Sequence, residues 1–288
     1  MRDFNYELKQ LCQRNRDGSY ATQTARERIL TQIANQLQEM GFRRMHADSL
    51  KPKHVEALIA RWQSEELSAG TIKNRMTELR WWAEKIGKQG IIARDNARYE
   101  IPDRKYVTNL DKGRELSAGD LTQITDPYTR LSLKLQAAFG LRREESIKIR
   151  VEWADRGDRL MLMDSWTKGG REREIPIRTP AQRELLEEFK QHVGQWSLIP
   201  RTMTYDGQLQ RFKAQCMKAG IHKVHGLRHH YAQKRFRELT GWVCPAKGGP
   251  ASKALSPEQK AVDREARATI SAELGHSREQ ITAVYIGR

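Results

Sequence analysis

The hydrophobic pattern of this chain changes period in one place only, and that change limits the folds open to it. From Ser19 to Phe139 apolar residues recur mostly at helical spacing. Near Arg150 they tighten to the alternation of strands, and from Thr179 the helical period returns. Three short runs, IRVEW, RLMLM and REIPI, are separated by the turn-rich stretches Asp155-Arg-Gly-Asp158 and Thr167-Lys-Gly-Gly170. They predict a three-stranded antiparallel meander. The expected fold is therefore mainly α, with one small β-meander set among helices.

The flanking segments give the domain plan. Thr22–Met40 carries Ala25, Ile29, Ile33 and Leu37 on one side, and Gly41 is a plausible stop. A second helix follows Leu50-Lys-Pro52, with Val55, Leu58, Ile59 and Trp62 inward. Ser68-Ala-Gly-Thr71 opens a third, with Ile72, Met76, Leu79 and Trp82 inward and Lys73, Arg75 and Arg80 expected outward, on phosphates. Residues 1–18 are polar and read as a weakly ordered or separately docked start. Residues 88–112 lack a clean period and read as a basic interdomain linker. The division expected is 1–105, a helical DNA-binding domain with its linker, and 106–288, a catalytic domain.

Within the second part, Ser117 caps the approach to a long apolar helix that stops at Gly140. Thr179-Pro180 with Gln182 restarts helix, and helices are expected around 180–192, 204–219, 225–238, 257–274 and 278–286. Between 239 and 256 lies an unusually long Gly/Pro-rich loop, with Trp242, Val243 and Leu255 as apolar anchors.

Charge identifies the partner class. The chain has 52 Lys+Arg against 36 Asp+Glu, a net charge of +16, and a polyanion is the default partner of such a surface. An anionic membrane surface competes with nucleic acid here. No apolar run approaches the roughly 20 residues of a spanning helix, and no secretory pattern begins the chain. Three scattered cysteines, Cys12, Cys216 and Cys244, point to a reducing compartment and away from a disulfide framework. No phosphate-binding glycine loop supports an ATP- or NAD-driven activity. His225 and His229 stand four apart, but Gly226 occupies the place of the glutamate in a zinc HExxH helix.

Four stretches stand out in order: FGLRREE at 139–145, TKGGREREIPI at 167–177, HGLRHH at 225–230 and the closing LGHSREQITAVY. Singly each has a bland reading, since arginines at helix starts, a lysine in a glycine turn and a tyrosine in a terminal helix are ordinary. In this order they resemble the tyrosine recombinases, the phage and mobile-element integrases, with a pattern nearest the integrases of proteobacterial integrative elements. The helical first part, with GTIKNRMTELRWW, is similar to that family's SAM-like core-binding domain.

The resemblance implies residue roles. Arg142 matches the first catalytic arginine and Glu145 its acidic support. Lys168 falls in the hairpin turn of the family's lysine, His225 and Arg228 form the His-x-x-Arg pair, His276 is the second histidine, and Tyr285 is the nucleophile. Arg143, Arg171 and Arg173 join Lys73, Arg75 and Arg80 as expected DNA contacts. The implied reaction forms a 3′-phosphotyrosine and frees a 5′-hydroxyl, with no metal, nucleotide or other cofactor.

The residue types suit that chemistry. Two guanidinium forks can hold both phosphate oxygens of a pentavalent transition state. A phenol, with a reference pKa of about 10, needs a base or strong electrostatic help to attack, and a lysine on a hairpin can protonate the leaving oxygen. A type IB topoisomerase shares this logic, and a DNA-binding regulator with a decayed site is a third reading; the presence of all six residues argues against decay. The resemblance further implies a C-shaped clamp on double-stranded DNA, an attachment site with inverted repeats, and a homotetramer in synapsis from free monomers or dimers. A DNA-bending accessory protein and a bacterial cytoplasmic, nucleoid-associated location complete the expectation. Only three residues follow Tyr285, so the 239–256 loop is expected to join neighbouring protomers in place of an exchanged arm.

Overall fold

The computed structural model describes residues 3–288, and the chain divides into two compact units between Lys105 and Tyr106. The first unit holds α1 (Asp3–Arg14), α2 (Tyr20–Glu39), α3 (Pro52–Ser64) and α4 (Ala69–Lys85). Serine side chains start two of these: Ser19 Oγ accepts from Thr22 N, and Ser68 Oγ from Thr71 N. The apolar stripes converge on Leu37, Leu58, Met76 and Leu79, all fully buried. Trp62 and Trp82 are buried as well, and each satisfies its one polar atom, Trp62 Nε1 on Gln36 Oε1 and Trp82 Nε1 on the Ala47 carbonyl.

Three expectations change here. Residues 3–14 form a packed helix, because Phe4 and Leu8 share one face and enter the core against α2. Much of the expected linker also belongs to the first unit: Ile92 and Ile101 are buried in its core, and the Ala93 amide donates to Tyr99 Oη. Arg75 and Arg80 do not point outward. Arg75 is buried with its guanidinium over the Trp62 ring, and Arg80 donates to the Ala93 carbonyl and to Asn96 Oδ1. An aromatic face and free carbonyls hold the flat guanidinium against the unit more firmly than solvent does.

The second unit runs α5 (Ala118–Thr122), α6 (Pro127–Phe139), α7 (Arg143–Lys148), α8 (Val151–Ala154), β1 (Arg159–Leu162), β2 (Arg173–Pro176), α9 (Pro180–Val193), α10 (Tyr205–Lys218), α11 (Gly226–Thr240), α12 (Pro257–Leu274) and α13 (Glu279–Ile286). Helix α11 is central and packs on α6, α12 and α13. Its Ala232 and Phe236 share a core with Phe139, Ile270, Leu274 and Ile286. Gly140 ends α6 in the left-handed conformation, and a side chain there would lie 2.5 Å from the Tyr231 ring. That turn leaves the Gly140 carbonyl facing α11.

The sheet has two strands, not three. β1 and β2 pair antiparallel, with Arg159 opposite Pro176 and Leu162 opposite Arg173. The expected first strand is the helical turn α8, in which Val151 and Ala154 are both fully buried and the Ala154 amide donates to the Arg150 carbonyl. A short apolar run has no period long enough to separate strand from helix, and burial at i and i+3 decides it.

The 239–256 loop is folded down onto the catalytic unit. Cys244 and Ala246 join the core beside Tyr285 and Ile286. Of the anchors expected to meet a neighbour, Leu255 is buried, Trp242 is partly buried, and only Val243 is exposed. Among the described residues, no helix is long and apolar enough to cross a membrane.

Candidate active site

A buried carboxylate sets the first cation of the site. Arg142 is the N-cap residue of α7, and Glu145, 1% exposed, accepts from its backbone amide (2.6 Å) and from its Nη1 (2.7 Å). From β2, Arg173 grips the same carboxylate with two nitrogens, at 3.0 and 2.6 Å. Burial pushes the Glu145 pKa up, but the Arg173 bonds and charge, followed by Arg142 and Arg228, hold it down to about 2. An ionised Glu145 thus fixes Arg142 against the wall of a cleft.

The second arginine is held by backbone. Arg228, one turn into α11, is 1% exposed and donates from Nη1 to the Gly140 carbonyl and from Nη2 to the Leu274 carbonyl. It ties the end of α6 to the end of α12. Each Nη carries a second hydrogen, and Nε has no protein partner. Burial, then Arg142, lowers its pKa to about 10, so the side chain stays charged at neutral pH.

Around Tyr285, which is 7% exposed, three imidazoles gather. His225 Nε2 lies 3.2 Å from the phenol oxygen. The His276 ring stacks on the phenol at 5.1 Å, and the His229 ring lies 4.4 Å away. His225 is lowered by burial, then by Arg228 and Arg142; the same causes in the same order bring His276 to about 3. Burial and then His225 bring His229 to about 4. His276 and His229 are therefore neutral at pH 7, and His225 favours the neutral form, in which it can accept a proton.

Thr282 and Arg228 hold the two ring nitrogens of His276. The buried Thr282 hydroxyl lies 2.9 Å from Nδ1, while Nε2 is 3.4 Å from Arg228 Nη2. A guanidinium only donates, so in the Arg228 contact Nε2 accepts and Nδ1–H donates to the Thr282 hydroxyl; with the hydroxyl donating to Nδ1 instead, Nε2 would carry the hydrogen and could offer it to an anion.

Lys168 is exposed in the connection between β1 and β2. It lines one open cleft of about 1250 Å³ with Arg142, His225, His276 and Tyr285. Arg143, Arg171, Lys213 and Lys223 line the same cleft. The structure therefore brings all six expected catalytic residues together, five on the cleft and Arg228 behind it against the Tyr285 ring at 5.7 Å.

Arg173, expected on DNA, is instead buried on Glu145 and the Glu273 carbonyl. Lys73 pairs with the exposed Asp103 at 2.6 Å. Sequence reasoning missed Thr282, Lys213 and Lys223. Only their basic or hydroxyl character marks them, and nothing in the local pattern separates them from solvated neighbours. His225 and His229 have rings 5.5 Å apart, and among the described residues no group of three His, Cys, Asp or Glu side chains is placed to hold a metal.

Comparison with known proteins gives the family and the fold. Residues 1–92 match the phage integrase N-terminal family, and residues 90–234, half of the chain, match the integrase family. The chain belongs to the integrase family, within the tyrosine recombinases. It is a site-specific recombinase of the class that integrates or excises mobile elements.

Similar solved structures include a lambda integrase dimer bound to a COC′ core site, with TM-score 0.63, 15% identity, and coverage of 98% of this chain and 75% of that one. The Tn1549 transposon integrase in complex with transposon right end DNA has TM-score 0.54 and 15% identity, covering 100% and 95%. The XerH site-specific recombinase bound to difH substrate has TM-score 0.57 and 14% identity, covering 98% and 80%. At such identities the likeness is one of fold, with an N-terminal SAM-like domain and a catalytic domain. No curated protein sequence matches the chain.

Proposed function

We propose that this recombinase cuts DNA by attack of the Tyr285 oxygen on a scissile phosphate. The carrying observation is the 3.2 Å approach of His225 Nε2 to that oxygen, inside a cleft lined by Arg142, Lys168 and His276. As the Oη–P bond forms, His225 takes the phenolic proton. As the P–O5′ bond breaks, Lys168 gives a proton to the leaving oxygen. A 3′-phosphotyrosine and a free 5′-hydroxyl result, and a 5′-hydroxyl from the partner strand reverses the step. Arg142, Arg228 and the Nε2–H of His276 hold the two non-bridging oxygens as their charge grows. No metal or nucleotide enters these steps, because the covalent intermediate conserves the bond energy.

The DNA path follows from the same cleft. Arg143, Arg171, Lys213 and Lys223 are exposed along it and suit the flanking phosphates. Lys73 reaches phosphate by exchanging Asp103 for it. Each unit would contribute contacts to the duplex, the first spanning 1–105 and the second 106–288. A lambda integrase tetramer bound to a Holliday junction, with TM-score 0.58 and 14% identity, supports four protomers acting on two duplexes. Inverted repeats in the attachment site, a DNA-bending accessory protein and a place on the bacterial nucleoid belong to this reading.

A nicked suicide substrate tests it. The wild-type protein should form a denaturant-stable adduct in EDTA and without nucleotide. Dependence on Mg²⁺, or absence of any adduct on its own attachment site, would overturn the phosphotyrosine route.

A further inference from the structure

The helix that carries Tyr285 is poorly able to hold its own shape. α13 has eight residues, well under the ~12–15 at which isolated helices become even marginally stable, and its N-cap residue, Arg278, makes no side-chain capping bond. A helix end also leaves its last carbonyls without intrahelical partners. Here the carbonyls of Tyr285, Gly287 and Arg288, at and just beyond that end, are met by side chains from three distant places. Gln233 of α11 donates to the Tyr285 carbonyl at 3.3 Å. Arg267 of α12, buried and paired with Asp263, donates to the Gly287 carbonyl at 2.8 Å.

The third side chain comes from the strand of irregular chain that enters the catalytic unit. Asn109 Nδ2 donates to the Arg288 carbonyl at 3.2 Å, and Asn109 Oδ1 accepts from the Arg288 amide at 3.0 Å. Asn109 itself sits in the left-handed conformation, φ 52°, which asparagine tolerates better than most residues. Two residues on, Asp111 Oδ1 accepts from the same Gln233 Nε2 at 2.9 Å and from the Gly113 amide at 2.7 Å. The Arg114 amide then donates to the carbonyl of Gly226, beside His225. The entering segment is therefore pinned at one end to a residue after the tyrosine and at the other to Gly226, the residue that follows the histidine facing it.

We propose that residues 109–114 form a latch that mounts the nucleophile, with Asn109 and Gln233 as positioning residues for Tyr285. The chain that enters the catalytic unit thereby becomes part of the tyrosine's support. The proposal rests on Tyr285 being the nucleophile. Neither positioning residue is among those that line the DNA cleft, so the latch affects the rate of attack and not the grip on DNA.

The experiment compares wild type, Asn109→Gly and Gln233→Leu on the nicked suicide substrate. Asn109→Gly keeps the backbone conformation and removes only the side chain. Gln233→Leu keeps similar bulk and removes the bridge. Each should slow single-turnover adduct formation about tenfold while DNA affinity stays within about twofold, since losing one or two such hydrogen bonds is worth roughly that factor. Amide hydrogen exchange should rise at residues 285–288 and stay unchanged in the first unit. Wild-type rates with wild-type exchange would overturn the latch, and so would a parallel fall in affinity and rate, which marks general damage. Tyr285→Phe in the same assay tests the nucleophile separately. If that variant still forms adduct, the nucleophile assignment falls, and the exchange measurement still decides whether Asn109 and Gln233 hold this segment.

Discussion

The two units bury arginines for opposite ends. In the first, the inward cations lie against separate partners: Arg26 pairs with Glu78 at 2.9 Å and covers Trp81, Arg75 covers Trp62, and Arg80 meets carbonyl and amide oxygens. In the second, Arg142 and Arg173 bond one carboxylate, Glu145, and Arg228, held by backbone carbonyls, adds its charge nearby. Three cations against one anion leave a surplus that the protein does not neutralise. The first arrangement closes a core. The second is unfinished until an anion arrives, which is what a site for phosphoryl transfer requires.

Substitutions can break this contrast, starting with the largest effect. Tyr285→Phe should abolish the covalent adduct with DNA binding unchanged, because only the attacking oxygen is lost; gel analysis under denaturing conditions reads it. Arg142→Ala and Arg228→Ala should each slow cleavage about a thousandfold or more, with binding within about tenfold, since their surplus charge counts most in the transition state. They should differ in stability: Arg228→Ala also releases the Gly140 and Leu274 carbonyls, so only this variant should melt markedly earlier.

Glu145→Gln sharpens the argument from the anion's side. It leaves Arg142 and Arg173 facing each other and should cost about 3 kcal/mol, the worth of a carboxyl lowered from 4.5 to about 2, measured by denaturant unfolding. A depressed folded pKa stabilises above the unfolded value, so wild-type stability from this group should fade as pH drops from about 4.5 toward 2. The histidines act at higher pH. His225, His229 and His276 are all lowered below 6.5, so they favour the folded state above that pH and withdraw that stability as it falls. Cleavage should accordingly hold level from pH 8 to 6.5 and decline only below, in a single-turnover pH profile. The smallest effect belongs to the first unit: Arg75→Met should leave cleavage and affinity within about twofold. A tenfold loss of binding would show that Arg75 leaves Trp62 to reach DNA.

Much of this was readable in the sequence where the signal is local. Ser19, Ser68, Ser117, Thr179 and Ser256 all cap the helices they precede, and Gly140 ends α6. The six candidate catalytic positions stood out through their order along the chain and the family they resemble. What escaped depends on neighbours remote in sequence. Val151–Ala154 is a helix because of what covers it. Arg75, Arg80 and Arg173 turn inward because rings, carbonyls and a carboxylate wait there. The pairing of Asn109 with Arg288 spans 179 residues, beyond the reach of any periodic pattern.

The loop at 239–256 has a consequence for where the chain can change length. Its first half doubles back on itself: the Gly249 amide donates to the Cys244 carbonyl, and a side chain at Gly249 would collide with the Val243 carbonyl. That tight fold presents Cys244 and Ala246 to the core next to the reactive helix. In its second half, from Pro250 to the cap at Ser256, Leu255 alone is buried. Lengthening or trimming residues 250–254 should therefore leave the core around the reactive helix undisturbed. Residues 243–249 have no such freedom, since their tight turn sets Cys244 and Ala246 into the core.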